Sequence, residues 1–223
     1  MQPFQLCDCS LARCVTGRTC TNLRELLESL RIVADSVIEH HMMHCVLEDH
    51  FELYEFPNDL ARWCWEALGD RLLGEQLGLI DPYRHASMAA LRATLIDVIE
   101  ERLWGSERVA WCRPGLELYL LDSRLVAYDT GQSFATPVAM AEAVDRISLY
   151  SLYFHVHEGR RRTAGRTDDF SEWLANYGAD PKLVEDLRKL DFYALNLSQL
   201  RLAIQEVFRR HMTLEPILQK APS

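Results

Sequence analysis

Apolar residues recur at helical spacing along most of the chain. The clearest case follows Ser87, where six apolar side chains fall on one face of a predicted helix: Met88, Leu91, Leu95, Val98, Ile99 and Leu103. A second long run of this kind follows Asn196. Residues that accept hydrogen bonds from free backbone N–H groups, typical of helix N-caps, precede these runs. Asn22, Asp59 and Asp169 are predicted to begin shorter helices in the same way. The pattern therefore predicts a mainly helical protein.

Two short regions show a pattern typical of strands instead. Near the N-terminus, Phe4–Cys9 and Leu11–Val15 flank the polar triplet Asp8-Cys9-Ser10, and a Thr-Gly pair follows. Leu116–Leu121 and Arg124–Tyr128 have the same arrangement later in the chain. Alternating runs that flank polar turn residues indicate a β-hairpin. We therefore predict one short hairpin at each place.

The two halves of the chain match each other in order, at offsets between 109 and 115. The pairs include Asp8 with Asp122, Thr16 with Thr130, His40 with His155, Asp59 with Asp169, Trp63 with Trp173, Tyr83 with Tyr193 and Arg92 with Arg201. An internal repeat of this kind indicates a duplicated structural unit. We predict a mainly α (α+β) fold, a tandem-duplicated pseudo-twofold unit in which each half is a short β-hairpin followed by about four or five helices.

The repeat also sets the expected domain boundaries. Residues 1–104 form the first half, 105–117 a connector, 118–212 the second half and 213–223 a tail. A half of roughly 100 residues has only a modest core by itself. We therefore expect the two halves to pack as one compact unit.

Composition excludes several classes of protein. Of the 223 residues, 48% are hydrophobic and 26% are charged, which is typical of a folded globular chain. The net charge of −9 argues against nucleic acid and against anionic membranes, since both are bound mainly through Lys and Arg. No apolar run approaches the roughly 20 residues of a membrane-spanning helix. There is no evident signal peptide either, so we expect a cytoplasmic protein.

Polar residues shared by the halves are the first candidates for a site. Several shared Asp residues fall where helices begin, which favours a capping role. His, Tyr and Arg have no such role, and each half could use them either in a buried network or in a polar pocket. Both readings stay open for the ligand-binding candidates: His40, His155, His157, Tyr83, Tyr193, Arg92, Arg201, Asp59 and Asp169.

Metal binding is a weaker alternative. His40, His44 and Glu48 lie four residues apart in turn, which places them along one side of a helix. Such residues can bind a divalent metal, but the set is not repeated and no H-E-x-x-H motif occurs. We expect no cofactor, with a divalent metal as the alternative.

The N-terminal cysteines have a spacing that is unusual for zinc: Cys7, Cys9, Cys14 and Cys20. Three of their four counterparts in the second half are apolar or aromatic. We therefore interpret these cysteines as small hydrophobic residues.

Several short motifs carry a family resemblance: Thr16-Gly17, Asn22-Leu23-Arg24-Glu25, Asn58-Asp59 with Trp63, Asp168-Asp169 with Trp173, Leu91-Arg92 and Leu200-Arg201. With these motifs, nearly the whole chain resembles an uncharacterised bacterial family that is described only as a domain of unknown function. The resemblance implies a coherent fold and a bacterial cytoplasmic protein. It implies no reaction, ligand or catalytic residue.

Catalytic signatures are absent from the sequence: it has no phosphate-binding loop, no dinucleotide fingerprint and no nucleophile elbow. This favours a non-enzymatic binding, scaffold or regulatory module that takes a protein partner or a small ligand. The alternative is a metal-assisted hydrolase or lyase that uses His and Asp residues near the junction of the halves. A third hypothesis, a nucleic-acid or nucleotide-linked regulator, uses the basic segment from Arg160 to Arg166.

Overall fold

The computed structural model describes residues 2–47, 56–105, 108–163 and 165–212. Within these residues the protein is mainly helical, with one two-stranded antiparallel sheet. The predicted fold class, mainly α with a small β component, is therefore confirmed. The tandem duplication and its pseudo-twofold relation stay predictions.

Each half begins with a strand and continues with helices. The first half contains β1 (Phe4–Cys20), α1 (Leu23–Ile32), α2 (Asp35–Met42), a 3-10 turn (His44–Leu47), α3 (Asp59–Glu66), α4 (Arg71–Gly78), a 3-10 turn (Pro82–Arg84) and α5 (Met88–Trp104). The second contains β2 (Leu118–Phe134), α6 (Pro137–Ala143), α7 (Leu149–Tyr153), a π-helical turn (Phe154–Glu158), α8 (Gly159–Arg162), α9 (Asp169–Tyr177), α10 (Pro181–Arg188) and α11 (Leu197–His211).

The predicted hairpins are wrong. The chain does not turn at Asp8-Cys9-Ser10, because β1 runs on for 17 residues and pairs with β2. The polar residues therefore lie within a long strand rather than in a turn, and some of them are buried there, as Ser123 is. Gly17 and Gly131 adopt left-handed backbone angles (φ 75° and 72°) inside the strands, which is typical of a β-bulge. The Thr-Gly pair therefore does not end a hairpin.

The described chain divides into two compact units. Within the described residues, unit 1 draws on the segment up to Asp8, on Ala127–Phe192 and on the segment from Leu197 onward, and unit 2 on Cys9–Val126 and Tyr193–Asn196. The beginning of β1 therefore belongs with the helices of the second half. The beginning of β2 belongs with the helices of the first half. That the two halves pack as one compact unit stays a prediction. The predicted tail, 213–223, lies outside the described residues.

The core of each unit contains side chains from the helices of one half and from the strand start of the other half. In unit 2, Leu118 and Leu120 of β2 join the cluster of buried side chains from α1 to α5. The predicted face of α5 lies in this core, with Leu91, Leu95 and Ile99 fully buried. In unit 1, Phe4 of β1 is buried against the ring of Phe170, with centroids 5.3 Å apart. Burial of these side chains, worth about 1.5–3 kcal/mol each, holds each strand start on its helices.

Helix caps account for where several helices begin. The Asn22 side chain accepts hydrogen bonds from Arg24 N (3.0 Å) and Glu25 N (3.1 Å), which confirms the cap predicted for α1. The caps of α3 and α9 are Asn58 and Asp168. The prediction that Asp59 and Asp169 cap these helices is therefore wrong by one residue, and their carboxylates are left for other partners.

Candidate functional site

Asp59 is one of those carboxylates, and in unit 2 it binds His41 of α2. His41 Nδ1 lies 2.9 Å from Asp59 Oδ2, and the Leu121 N–H of β2 donates to His41 Nε2 at 3.0 Å. Because Nε2 accepts, the proton of this neutral imidazole sits on Nδ1 and is donated to Asp59. The group formed by His41, Asp59 and the Leu121 N–H, here called clasp 2, ties the start of β2 to two helices.

The electrostatics of clasp 2 keep its carboxylate charged. Burial opposes the charge of Asp59, but the hydrogen bond from His41, together with the hydrogen bond and the charge of Arg62, outweighs burial and holds the pKa of Asp59 below its ordinary value. Arg62 Nη2 lies 2.7 Å from Asp59 Oδ1. Both carboxylate oxygens therefore have partners inside the protein.

Unit 1 contains the same arrangement. His155 Nδ1 lies 2.7 Å from Asp169 Oδ2, and the Cys7 N–H of β1 donates to His155 Nε2 at 2.9 Å. Arg162 Nη2 binds the same carboxylate at 2.6 Å. This group of His155, Asp169 and the Cys7 N–H is called clasp 1. The sequence match of His40 with His155 is thus off by one residue, because His41 makes the contacts that His155 makes.

His40 takes part in a different contact, which includes His44 and Ser123. Ser123 Oγ lies 3.0 Å from His40 Nδ1 and 2.9 Å from His44 Nδ1, and all three side chains are buried. One hydroxyl has one proton, so it donates to one imidazole and accepts from the other. Burial, reinforced by the neighbouring His41, lowers the pKa of His40 to about 3. The structure therefore places a buried polar cluster, which contains the neutral His40, beside clasp 2.

Two of the three predicted metal ligands belong to this cluster. His40 and His44 do come together through Ser123, whereas Glu48 lies outside the described residues. One potential ligand atom from each of His40, His41 and Asp59 lies within 4.8 Å of the others. Neutral imidazole and carboxylate suit Zn²⁺ and similar ions.

The tautomer of His41 opposes such a site. A neutral imidazole has one free lone pair, and in His41 the Leu121 N–H occupies it. A metal on Nδ1 would move the proton to Nε2, where it would face that N–H. Metal binding by His41 therefore costs the hydrogen bond that ties β2 to the helix. Among the described residues, no cysteine belongs to a set of three potential ligands.

Arg92 and Arg201 bind backbone carbonyls. Arg92 Nη1 donates to Leu30 O, and its Nη2 donates to Val33 O at 2.8 Å. Arg201 Nη2 donates to Ile147 O at 2.7 Å. Leu30 and Val33 lie at the C-terminal end of α1, and Ile147 lies between α6 and α7, where intrahelical partners for a carbonyl are lacking. Each arginine therefore binds backbone carbonyls within its own unit.

Tyr83 and Tyr193 lie together in unit 2. Asn58 Nδ2 donates to Tyr193 Oη at 3.0 Å and to Leu77 O at 3.0 Å, while the rings of Tyr83 and Tyr193 meet edge to face at 6.2 Å. Burial raises the pKa of Tyr193 well above its ordinary value. The phenol is thus a neutral partner of the α3 cap.

His157 is packed between aromatic rings in unit 1. The Tyr153 ring stacks on it with centroids 4.9 Å apart, and the Phe192 ring meets its edge at 5.0 Å. Burial, with a smaller effect of Arg160, lowers the pKa of His157 to about 3. The imidazole is therefore neutral and behaves as an aromatic core residue.

Arginines of the basic segment form ion pairs with acidic residues of their own unit. Arg160 pairs with Asp168 (3.4 Å), Arg161 with Glu158 (2.9 Å) and Arg162 with Asp169 (2.6 Å). Arg160 also stacks over the Phe192 ring at 4.1 Å. The nucleic-acid hypothesis gains no support from these pairs.

Sequence reasoning missed a groove on unit 2. Its volume is about 670 Å³, and it is lined by Asn22, Arg24, Glu25, Glu28, Arg108 and Trp111. Val109 completes the lining. The Trp111 side chain is 66% exposed. This part of the sequence was interpreted only as a connector, although a tryptophan inside a connector is a signal of a binding surface.

The backbone beneath the groove is fixed. Asn22 and Trp111 form an antiparallel bridge, and Cys112 N donates to Thr21 O at 2.7 Å. Trp111 therefore projects from a held segment. No helix in the described part of the chain is long and apolar enough to cross a membrane.

Comparison with known proteins gives a family and a structural neighbour. A sequence model with the description "Family of unknown function (DUF5752)" matches residues 1–209. No curated protein sequence matches the chain. Among solved structures, OrfY from Thermoproteus tenax is similar over 94% of this chain and 95% of its own, with 27% identity and a TM-score of 0.75.

Proposed function

The chain belongs to the family of unknown function DUF5752, and we propose that it is a non-enzymatic binding module whose ligand site is the groove of unit 2. One observation carries the proposal: the groove presents a 66% exposed indole beside two arginines on a fixed backbone. Trp and Arg are the residues that most often dominate binding surfaces. A volume of about 670 Å³ is within the range of small-ligand sites, roughly 300–1,000 Å³.

The polar residues elsewhere support this choice. His41, Asp59, His155, Asp169, Arg92 and Arg201 all bind groups of their own chain. A side chain that anchors a strand or a helix end is poorly suited to change partners during a reaction. Binding in the groove does not require these side chains to change partners. The cytoplasmic location and the bacterial origin remain predictions.

A fragment screen by ¹H–¹⁵N NMR tests the proposal. The five tryptophans give separate indole N–H signals, and a Trp111→Phe variant assigns the one in the groove. We expect bound fragments to shift the Trp111 signal while the buried Trp63 signal stays in place. Hits that shift only other signals would contradict the proposal, as would turnover of phosphoester, ester or glycoside substrates by metal-free protein.

We also propose that the two halves are copies of one ancestral unit. Equivalent hydrogen bonds support this: Thr16 Oγ1 donates to Leu120 O, and Thr130 Oγ1 donates to Leu6 O, both at 2.6 Å. Trp63 Nε1 donates to Leu116 O, and Trp173 Nε1 to Gln2 O. Each half, expressed separately as residues 1–117 or 118–223, lacks the strand start that packs on its own helices. We therefore expect the two halves to fold only when they are mixed. Independent cooperative folding of each half would contradict this assignment of the strand starts.

Metal-assisted hydrolysis is the second candidate, because potential ligand atoms of His40, His41 and Asp59 lie within 4.8 Å of one another. Elemental analysis of purified protein and melting in a chelator test it. A stoichiometric metal whose removal lowers the melting temperature would favour this candidate. The hydrogen bond from Leu121 to His41 is the reason that we place it second.

A further inference from the structure

The groove of unit 2 contains four charged side chains, of which one is used by the fold. Glu25 Oε2 accepts from Thr21 N at 2.7 Å and from Thr21 Oγ1 at 2.8 Å. The backbone hydrogen bond is the main reason that the pKa of Glu25 is lowered. Together with the Asn22 side chain, this carboxylate closes the N-terminus of α1, so it is not available to a ligand.

The remaining charges favour an anion. Arg24, Arg108 and Glu28 line the groove. In the part of the chain that the structure describes, neither Arg24 nor Arg108 forms a side-chain ion pair. Glu25 keeps its charge but is already bound to Thr21, so two guanidinium groups and one carboxylate remain to contact a ligand, and the groove offers more cationic than anionic contact groups. Guanidinium groups bind carboxylate and phosphate through paired hydrogen bonds.

The groove also provides a flat apolar surface. The Trp111 indole is largely exposed, and its backbone is fixed by the bridge to Asn22. Val109 adds an aliphatic contact. Aromatic rings pair preferentially with other rings in stacked or edge-to-face geometry. A ligand that satisfies the whole lining therefore combines a ring with a negative charge.

We propose that the groove binds a small planar aromatic molecule that carries a carboxylate or a phosphate. The ring packs on Trp111, and the anion binds between Arg24 and Arg108. This inference rests on the proposed binding function and specifies the ligand class of that same groove.

The test is an NMR titration of the full chain with 2-naphthoate, with 2-naphthyl phosphate and with the neutral amide 2-naphthamide. Inorganic phosphate, which has no ring, is the fourth probe. We expect 2-naphthoate or 2-naphthyl phosphate to shift the Trp111 indole signal and to bind at least about tenfold more tightly than the amide. The stronger of these two probes distinguishes a carboxylate source from a phosphate source.

Variants test the roles of the ring and of the charge. Trp111→Ala should weaken 2-naphthoate binding at least about tenfold, and Arg108→Gln should abolish the preference for 2-naphthoate over the amide. Trp104→Ala is the matched control, because Trp104 is 90% exposed and does not line the groove. We expect Trp104→Ala to leave binding unchanged.

Two outcomes would overturn the inference, and they differ in what they leave standing. If the amide binds as tightly as 2-naphthoate, or if only cationic or aliphatic fragments shift the Trp111 signal, the ligand class is wrong and the binding function stands. If no fragment of any class shifts the Trp111 signal, both proposals fail. Equal losses in Trp111→Ala and Trp104→Ala would also overturn it, because the effect would then not belong to the groove.

Discussion

Clasp 1 and clasp 2 use the same three groups, yet their surroundings differ. In both, a histidine donates to an aspartate at the start of a helix and accepts a backbone N–H from a strand. Clasp 2 is more deeply buried, since the Asp59 side chain is 6% exposed and that of Asp169 is 21% exposed. Clasp 2 also has the His40–Ser123–His44 cluster beside it.

The shared and the unshared parts have different meanings. A contact that both units make is most simply a requirement of strand attachment. The cluster around Ser123 is found beside clasp 2, whereas Phe154 precedes His155 in clasp 1 and packs its ring against the imidazole. The difference shows that the clasp does not need additional imidazoles. The deeper burial of clasp 2 predicts that breaking it costs more stability than breaking clasp 1.

Removing the clasp histidines should have the largest effect. We expect His41→Ala to lower the free energy of unfolding by about 3–5 kcal/mol, because it removes the partner of Oδ2 in the buried Asp59 carboxylate, while Arg62 binds only Oδ1. His155→Ala should cost less, about 1–3 kcal/mol, because Asp169 is more exposed and keeps Arg162. Urea denaturation of both variants measures this, with the exposed Gln76→Ala as control. Equal costs, or a larger cost for His155→Ala, would contradict the ranking.

Acid should destabilise the protein through the buried histidines of both units. The pKa values of His40 and His157 are about 3 in the folded chain, below the ordinary 6.5. The unfolded chain therefore binds more protons between these values, so stability is present above pH 6.5 and is lost as the pH falls toward 3. Each histidine contributes a slope of at most about 1.4 kcal/mol per pH unit.

Denaturation between pH 4.5 and 6.5 tests this, because Asp59, whose folded pKa is lowered from 3.8, contributes mainly below that window. His157→Phe should reduce the slope relative to the unmodified chain. An unchanged slope in this variant would show that His157 is already protonated in the folded state, or that it is not buried.

The two arginines extend the comparison to smaller effects. Arg92 Nη2 reaches Asp35 at 2.5 Å in addition to the carbonyl of Val33. The residue that begins α7 in unit 1 is Leu149, where α2 begins with Asp35. We expect Leu149→Asp to give Arg201 the same kind of partner and to stabilise the protein by about 0.2–1 kcal/mol, since the pair would be partly exposed. Destabilisation in urea would show that the two positions are not equivalent.

Chelation should have the smallest effect. Because the lone pair of His41 is occupied by the Leu121 N–H, we expect no change of melting temperature in a chelator or on addition of Zn²⁺. A rise of melting temperature with Zn²⁺ that disappears in His40→Ala would revive the metal alternative.

Local features of the fold could be predicted from the sequence. The cap at Asn22 and the buried face of α5 depend on residues within one or two turns of each other. The hairpins were wrong because the true partner of β1 lies more than 100 residues away, and nothing local distinguishes polar residues of a turn from polar residues inside a long strand. Long-range pairing of this kind is visible only in the structure.

The site was predictable only in part. His155, Asp59 and Asp169 were identified, and all three belong to the clasps. His40 was chosen in place of His41 because adjacent histidines match a single partner equally well in a sequence. On a helix, neighbouring residues point about 100° apart, so one of them faces Asp59 and the other faces Ser123. The groove was missed because its members come from two separate segments.

The most direct test of the clasps is the tautomer of their histidines, measured by long-range ¹H–¹⁵N NMR of the imidazole rings at neutral pH. In both His41 and His155 we expect a protonated Nδ1 and an unprotonated Nε2, because Nδ1 donates to a carboxylate and Nε2 accepts a strand N–H. A protonated Nε2 in either ring would contradict the attachment of strand to helix on which the account depends.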